Sequence, residues 1–138
     1  MSGPDFLDSN ILVYAHDAAD PKKQRVAQDL IRRAVAGEMI VSTQTLAEFS
    51  ATLLQRFAKE YSADEVVGIL DALAAIRLVV TDGGVVRRAV EAHQTYGVHF
   101  YDGMIVAAAE RGGCARIWSE DMNAGQKYFG VAVENPFA

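Results

Sequence analysis

The 138-residue sequence predicts an α/β fold in which helices cover both faces of a parallel sheet of four to five strands. Two observations support this prediction. Short apolar runs alternate along the chain with longer stretches in which apolar residues recur at helical spacing. No repeat, low-complexity tract or linker interrupts the alternation, so we expect residues 1–138 to form a single domain, long enough to bury a sizeable core.

The first predicted strand is Phe6-Leu7, which leads into a short apolar segment at residues 11–15. Asp20 and Pro21 have the residue types of a helix N-cap and a first helical residue, because the N–H that proline lacks has no partner there anyway. Gly37 ends the helix that follows. The apolar stripe of this helix consists of Val26, Ala27, Leu30, Ile31, Ala34 and Val35.

A second strand is predicted at residues 39–41, followed by a helix from about residue 46 to residue 59. Ser62 and Glu65 form a capping box at the start of the next helix. The remaining predicted elements are a strand at 76–80, a helix at about 84–96, a helix from Asp102 to Gly112, a strand at 115–118 and a fifth strand at 131–133.

Composition and charge restrict the possible functions. A hydrophobic content of 51% indicates a folded rather than a disordered chain. A protein that holds nucleic acid mainly by neutralising phosphates is normally basic, whereas this chain has a net charge of -5. The acidity counts against passive nucleic-acid binding, but it agrees with a site that holds divalent cations and contacts its substrate through them.

Cysteine content and hydropathy exclude further classes. The single cysteine, Cys114, rules out an intramolecular disulfide framework and a multi-cysteine zinc or iron–sulfur site. The N-terminus lacks the basic region and apolar stretch of a secretory signal. No apolar run approaches the roughly 20 residues that span a bilayer. We therefore expect a soluble, cytoplasmic protein that does not associate with membranes.

Four acidic residues lie at or near predicted strand-to-helix junctions. Asp8 follows the first strand and Asp121 follows the fourth, while Glu48 and Asp102 lie in the first turns of two predicted helices. Right-handed crossovers place all such junctions at one edge of a parallel sheet, where ligands bind in folds of this class. The topology therefore predicts that the four carboxylates converge.

Each acid also has an ordinary structural explanation. Asp8 and Asp102 are candidate helix N-caps. Thr45 and Glu48 have the residue types and the spacing of a capping box, and Asp121 is typical of a turn. Taken singly, each residue is better explained by capping or turn formation, and only the set of four indicates a functional site.

The set of four indicates a divalent cation. Two unit charges about 4 Å apart repel by roughly 4 kcal/mol at an effective dielectric of about 20, and a helix N-terminus returns only about 0.3–1 kcal/mol. A cation relieves this repulsion, and an all-carboxylate set without a histidine cluster favours Mg²⁺ or Mn²⁺. Such ions lower the pKa of a bound water and position it in line with a phosphodiester, which is the chemistry of a metal-dependent nuclease.

Magnesium keeps several of its waters and takes few protein ligands. Asp8 and Asp121 are therefore the first candidates for direct metal ligands, and Asp102 is grouped with them as metal-binding. Glu48 and Asp102 are expected to act mainly on metal-bound waters or on a second, substrate-dependent ion.

Three of the acids lie in characteristic segments, which are FLDSNILVYA at residues 6–15, YDGMIVAAA at 101–109 and WSEDM at 118–122, and the remaining acid is Glu48. The last segment is followed by Gly125-Gln126 and by Asn135-Pro136-Phe137. With these flanks the chain resembles the PIN-domain ribonucleases, and among them the VapC-type toxins of bacterial toxin–antitoxin pairs. The resemblance covers essentially the whole chain.

This resemblance implies a three-layer α/β/α sandwich, Mg²⁺- or Mn²⁺-dependent RNA cleavage, a homodimer, and a cognate antitoxin that occupies the acidic site. The catalytic set it implies is Asp8, Glu48, Asp102 and Asp121. Asn10 and Ser119 resemble the family's polar residues that bind substrate or orient the carboxylates. Gly103 departs from the alanine expected after the third acid and costs about 0.5–1 kcal/mol of helix propensity.

Two other function classes remain open. A PIN-like module that holds a metal or a partner without cleaving would have no need to retain such charge repulsion. A phosphoacceptor signalling domain usually has a lysine after a late strand, but Lys127 lies beyond the acidic motif.

Two further residues have structural interpretations. His93 falls on the same apolar helix face as Val86, Ala89 and Val90, which predicts a core or boundary histidine. Glu120 competes with Asp121 for the fourth acidic role, and is predicted to be a solvated surface charge.

Overall fold

The computed structural model describes residues 3–138. The strands in this range are β1 (Asp5–Leu7), β2 (Met39–Ser42), β3 (Arg77–Val79), β4 (Arg116–Trp118), β5 (Lys127–Tyr128) and β6 (Val131–Glu134). They form a sheet in the order β3-β2-β1-β4-β6-β5. Every neighbouring pair is parallel except β5 and β6, which are antiparallel.

Helices cover both faces of this sheet. Over the described residues they are α1 (Ser9–Ala15), α2 (Pro21–Val35), α3 (Thr43–Gln55), α4 (Ala63–Leu73), α5 (Gly83–Tyr96) and α6 (Phe100–Arg111). The first four pack on one face, whereas α6 packs on the other with α5 against it. The predicted three-layer α/β/α class is confirmed. No helix in the described part of the chain is long and apolar enough to cross a membrane.

The central strands are buried on both sides. Successive strand residues point to opposite faces, so Leu7 and Met39 pack among α1–α4 whereas Phe6 and Ile40 pack against the α6 layer. All four side chains are fully buried, and each such burial contributes about 1.5–3 kcal/mol. This two-sided burial explains why the strands read as continuous apolar runs rather than as alternating ones.

The sheet contains one strand that the sequence does not predict. β5 has two residues, too few to show an alternating pattern, and it pairs with the predicted fifth strand, β6. Phe129 and Gly130 connect the two strands with φ values of 49° and 83°. Two consecutive positive φ values are what a type I′ hairpin turn requires. The parallel sheet therefore ends in an antiparallel edge.

Two helices begin earlier than predicted. Ser42 caps α3 and shares a reciprocal capping box with Thr45, so α3 covers residues 43–55 instead of about 46–59. Likewise, α6 begins at Phe100 after the N-cap His99, rather than at Asp102. Ser42 is the last residue of β2, and His99 is the last residue of the loop before α6. In both helices the cap therefore precedes the acid, which has no capping role.

The predicted inner face of α5 is wrong by one residue. Val85, Ala89 and Ala92 are the buried residues of this helix, whereas Val86 and Val90 are exposed, and so is His93. Because apolar residues occupy both faces, periodicity alone admits either orientation. Packing of small side chains against α6 selects between them.

Gly103 lies where α5 and α6 approach each other closely. A Cβ at this position would lie 2.9 Å from the carbonyl oxygen of Ala89 and 3.4 Å from its Cα. Glycine at this position therefore costs helix propensity but permits the close contact between α5 and α6. A side chain here would force the backbone at Ala89 to move.

We expect Gly103→Ala to destabilise the protein by about 1–3 kcal/mol, because overpacking exceeds the gain of about 0.5–1 kcal/mol in helix propensity. Gly68→Ala in α4 is the matched control, since a Cβ there meets nothing within 4 Å. The control should stabilise the protein by about 0.5–1 kcal/mol. Urea unfolding measures both changes, and stabilisation by Gly103→Ala would contradict the close helix contact.

Candidate active site

The carboxyl ends of β1 and β4 form the centre of the site. These neighbouring strands pair Leu7 with Trp118, and the N–H of Asp8 donates to the Trp118 carbonyl at 3.1 Å. Asp8 and Ser119 each follow their strand directly, so their side chains meet. The Ser119 hydroxyl donates to Oδ2 of Asp8 at 2.8 Å.

Asp8 both caps a helix and contributes a carboxylate oxygen to the acidic centre. Its side chain is buried, with 5% exposure. Oδ1 accepts from the Ser9 N–H at 2.7 Å, which makes Asp8 the predicted N-cap of α1. Oδ2 faces Ser119 and the Asn10 amide, at 2.8 and 3.4 Å. The two explanations offered for this residue are therefore not alternatives.

The Asn10 side chain joins the acids of two separate segments. Its Nδ2 donates to Oδ2 of Asp121 and to Oγ of Ser119, both at 3.2 Å, and more weakly to Asp8 at 3.4 Å. Its Oδ1 accepts from the Glu120 N–H at 3.2 Å. Asn10 and Ser119 thus contact the carboxylates directly.

Glu48 projects toward the same centre from α3. It lies more than a helical turn after the true cap of α3, so the predicted capping role of Glu48 is wrong. Its Oε1 accepts from the Ser9 hydroxyl at 3.2 Å, and its Oε2 accepts from Gln44 Nε2 at 3.3 Å. Glu48 is half-buried and held by contacts to α1 and within α3.

Gln44 is a site residue that the sequence analysis missed. Its Nε2 also donates to the Tyr101 carbonyl at 3.0 Å, which links α3 to α6. Its Oε1 is buried without a hydrogen-bond partner among the described residues. The i, i+4 spacing of Gln44 and Glu48 was the available signal. It has no meaning until the start of α3 is known.

Asp102 and Asp121 line a common cleft. Asp102 is half-buried in the first turn of α6, whose N-cap is His99, so the predicted N-cap role of Asp102 is wrong. Burial and then repulsion from Asp121 raise the pKa of Asp102, against a lowering influence of His99. Asp121 is exposed in the bend after β4 and accepts its hydrogen bond from Asn10.

Repulsion connects all four acids. Burial is the main cause that raises the pKa of Asp8 to about 6, and the charges of Glu48 and Asp102 add to it, while hydrogen bonds from Ser119 and Ser9 oppose it. Asp102 is in turn coupled to Asp121. The structure therefore brings together the four acids that the topology predicts to converge.

The residues at this centre fit a hard divalent cation. No three His, Cys, Asp or Glu side chains between residues 3 and 138 stand close enough to form a preassembled metal cage. Magnesium does not require one, because it usually takes one or two carboxylates and keeps several waters. Asp8 and Asp121 provide such a pair, since both accept from the same Asn10 nitrogen.

Glu120 does not behave as the predicted solvated charge. Its carboxylate accepts from the Tyr14 hydroxyl at 2.6 Å and from Lys23 Nζ at 2.5 Å. Burial by itself would raise the pKa of Glu120, but the hydrogen bonds from Lys23 and Tyr14 outweigh it and hold that pKa below its usual value. These contacts tie the loop that carries Asp121 to α1 and α2. The sequence gives no sign of them, because Lys23 meets this loop only in the folded chain.

Asp121 separates two clefts of different charge. The cleft that it shares with Asp102 has a volume of about 250 Å³ and contains no lysine or arginine among its described lining residues. The second cleft that Asp121 lines has a volume of about 200 Å³, and its lining includes Arg56 as well as Glu120, whose carboxylate is paired with Lys23. Among the described lining residues, an arginine therefore lies on one side of the acidic centre, whereas the cleft on the other side contains His99.

Comparison with known proteins identifies relatives of this arrangement. The sequence profile described as "PIN domain" matches residues 6–129. No curated protein matches the sequence.

Several solved structures share the fold at low sequence identity. A toxin–antitoxin complex from Klebsiella pneumoniae aligns with a TM-score of 0.68 and 16% identity, covering 96% of this chain and 97% of that one. FitAcB from Neisseria gonorrhoeae aligns with a TM-score of 0.65 and 18% identity over 96% and 98% of the two chains. VapC20 from Mycobacterium tuberculosis, described as a sarcin–ricin loop cleaving toxin, gives 0.61 and 17% over 85% and 91%. At these identities the similarity concerns the fold.

The raised pKa of Asp8 predicts a pH-dependent stability difference in metal-free protein. The pKa of Asp8 in the folded protein is about 6, above the usual 3.8, which means that folding disfavours the charged form. The contribution of Asp8 to the free energy of unfolding is therefore fully present below pH 3.8 and is lost as the pH rises through 6. At 1.36 kcal/mol per pKa unit the loss is about 3 kcal/mol. Relative to wild type, Asp8→Asn should therefore gain about 2–3 kcal/mol between pH 4 and pH 7. A pH-independent difference in urea unfolding would contradict it.

The contacts of Glu120 predict that Glu120→Ala loosens the loop carrying Asp121. Loss of charge-assisted hydrogen bonds should speed amide hydrogen exchange at residues 119–123 by about tenfold or more. Glu38→Ala is the matched control, because Glu38 pairs with Arg33 at an exposed position away from the site. Unchanged exchange in Glu120→Ala, or an equal change in the control, would show that the pair does not hold the loop.

Proposed function

Because this chain belongs to the PIN domain family, we propose that it is a Mg²⁺- or Mn²⁺-dependent endoribonuclease and the toxin of a type II toxin–antitoxin pair. The observation that carries the proposal is the convergence of Asp8, Glu48, Asp102 and Asp121 at one edge of the sheet, with their charges coupled. A set of mutually repelling carboxylates is unfavourable unless a cation binds there. The fold neighbours support the biological setting, since those aligned above include a toxin–antitoxin complex and a toxin described as cleaving the sarcin–ricin loop.

Each acid has a distinct part in the proposed reaction. Asp8 and Asp121 hold the metal directly, with Asp102 beside them in the metal-binding set. When bound, the ion supplies an activated water and stabilises charge on the phosphodiester. Glu48, held by Ser9 and Gln44, would act on water bound to the ion.

Asn10 and Ser119 position these carboxylates. Ser119 fixes Oδ2 of Asp8, and Asn10 holds Asp8 and Asp121 on a single amide nitrogen. Both contacts orient the acids before metal or substrate arrives, and loss of such supporting contacts typically costs about 10- to 100-fold in metal affinity or activity.

Arg56 is the phosphate contact that the acidic protein offers. It lines the cleft next to Asp121, whereas Lys23 is already engaged by Glu120. A guanidinium suits a phosphate because it donates two parallel hydrogen bonds. The RNA backbone is therefore proposed to enter on the Arg56 side of the acids.

We further propose that the protein acts in the cytoplasm as a homodimer whose acidic site is blocked by a cognate antitoxin. Exposed apolar side chains support a subunit contact, because removing apolar surface from water in an interface is favourable. Those at and after β3 and on α5 are Leu78, Val80, Val86 and Val90.

The cleavage proposal predicts that the purified protein cuts mixed RNA with Mg²⁺ or Mn²⁺ and that EDTA abolishes the cuts. Asp8→Asn should lower the rate at least about 100-fold, and Asn10→Ala about 10- to 100-fold. Asp71→Asn, an exposed change on α4, is the control and should cleave like wild type. Equal cleavage by wild type and Asp8→Asn, with both folded by circular dichroism, would refute the assignment.

A further inference from the structure

The cleft shared by Asp102 and Asp121 lies directly beside the proposed site of cleavage and has its own chemistry. Besides the two acids, the residues that line it include His99, Asn123 and Gln126. Its two carboxylates and the lack of lysine or arginine in its described lining make it unsuitable for a phosphate. A neutral group rich in hydrogen-bonding atoms fits it better.

The side-chain oxygen of Gln126 has two hydrogen-bond partners. Its Oε1 accepts from the Tyr128 hydroxyl at 3.0 Å and from Asn123 Nδ2 at 3.3 Å. No residue in the described chain accepts from its Nε2, which remains available as a donor. Because Asn123 uses its amide nitrogen toward Gln126, its own Oδ1 remains available as an acceptor. The two side chains therefore present one donor and one acceptor side by side.

The backbone around these amides is anchored to the sheet. The N–H of Gly125 donates to the Val133 carbonyl at 2.8 Å, and the N–H of Val133 donates to the Gln126 carbonyl at 2.9 Å. Gly125 has a φ of 87°, a conformation that glycine adopts without strain. A loop fixed to β6 in this way holds its donor and acceptor ready before a ligand binds, which lowers the entropic cost of binding.

The cleft has the size and the walls of a site for one base. Its volume of about 250 Å³ is below the roughly 300–1,000 Å³ of pockets for drug-sized ligands. Tyr96 and His99 contribute aromatic rings to its lining. Single-stranded RNA is recognised by unstacked bases that lie on aromatic side chains and hydrogen-bond through their Watson–Crick edges.

From these features we infer that this cleft binds one keto nucleobase, guanine or uracil, of the RNA next to the cleaved bond. The Gln126 NH₂ donates to the base carbonyl, and Asn123 Oδ1 accepts from the adjacent ring N–H. Adenine and cytosine present the reverse order, an amino donor next to a ring acceptor, and pair poorly with this arrangement. The inference rests on the proposed ribonuclease function and adds its base preference.

Binding tests this inference separately from cleavage. Fluorescence anisotropy of the full chain carrying Asp8→Asn, with Mg²⁺, compares the single-stranded hexamers U6 and C6, which differ only in the base edge. We expect U6 to bind about tenfold more tightly or better. Adding Gln126→Met should bring the ratio near one, whereas adding Gln94→Met, an exposed glutamine of α5 outside the cleft, should leave it unchanged.

Cleavage of a randomised RNA pool by the wild-type chain gives the second readout. Guanine and uracil should be enriched at one fixed position relative to the cut, and Gln126→Met should remove the enrichment. Equal binding of U6 and C6, no binding of either, or a preference that survives Gln126→Met overturns the inference even when RNA is cleaved. A U6 preference that depends on Gln126 in a protein that cleaves no RNA upholds the inference and refutes the nuclease proposal instead.

Discussion

The buried carboxylate of Asp8 is the constraint on which the rest of the site depends. A charge removed from water is costly unless hydrogen bonds compensate it, and three donors from Ser9, Asn10 and Ser119 surround this one. One oxygen starts α1 and the other joins β1 to the segment after β4. The same residue therefore sets the direction of the first helix and the position of the acidic centre.

Hydrogen bonds hold the loop after β4 at both of its ends. Glu120 is held at the first end by Asn10, Tyr14 and Lys23, and Gly125 is held at the other by β6. Between these anchors lies Asp121, the most exposed of the four acids. An exposed carboxylate can thus keep a defined position without being buried, because the backbone on either side of it is fixed.

Local charge matters more here than the net charge of -5. The acidic centre has Arg56 on one side. On the other side is a cleft in which neutral amides and aromatic rings accompany Asp102 and Asp121. An RNA phosphate and an RNA base require different surroundings, and the two sides of Asp121 provide them. This asymmetry reconciles an acidic protein with the proposed action on a polyanion.

The sequence by itself determined the α/β class, a parallel sheet of four to five strands, and the candidate acids Asp8 and Asp121 directly after strands and Glu48 and Asp102 in helices, because apolar periodicity and crossover topology depend on local residue order. It placed the caps of α3 and α6 wrongly, since Ser42 and His99 compete with later residues and only the folded backbone selects between them. The hairpin strand β5, the packing role of Gly103 and the contact of Lys23 with Glu120 were decided by tertiary structure. The packing of Gly103 and the contact of Lys23 with Glu120 join residues that are distant in sequence, so only the folded chain brings these residues together. The strand β5 is too short to show a period in the sequence.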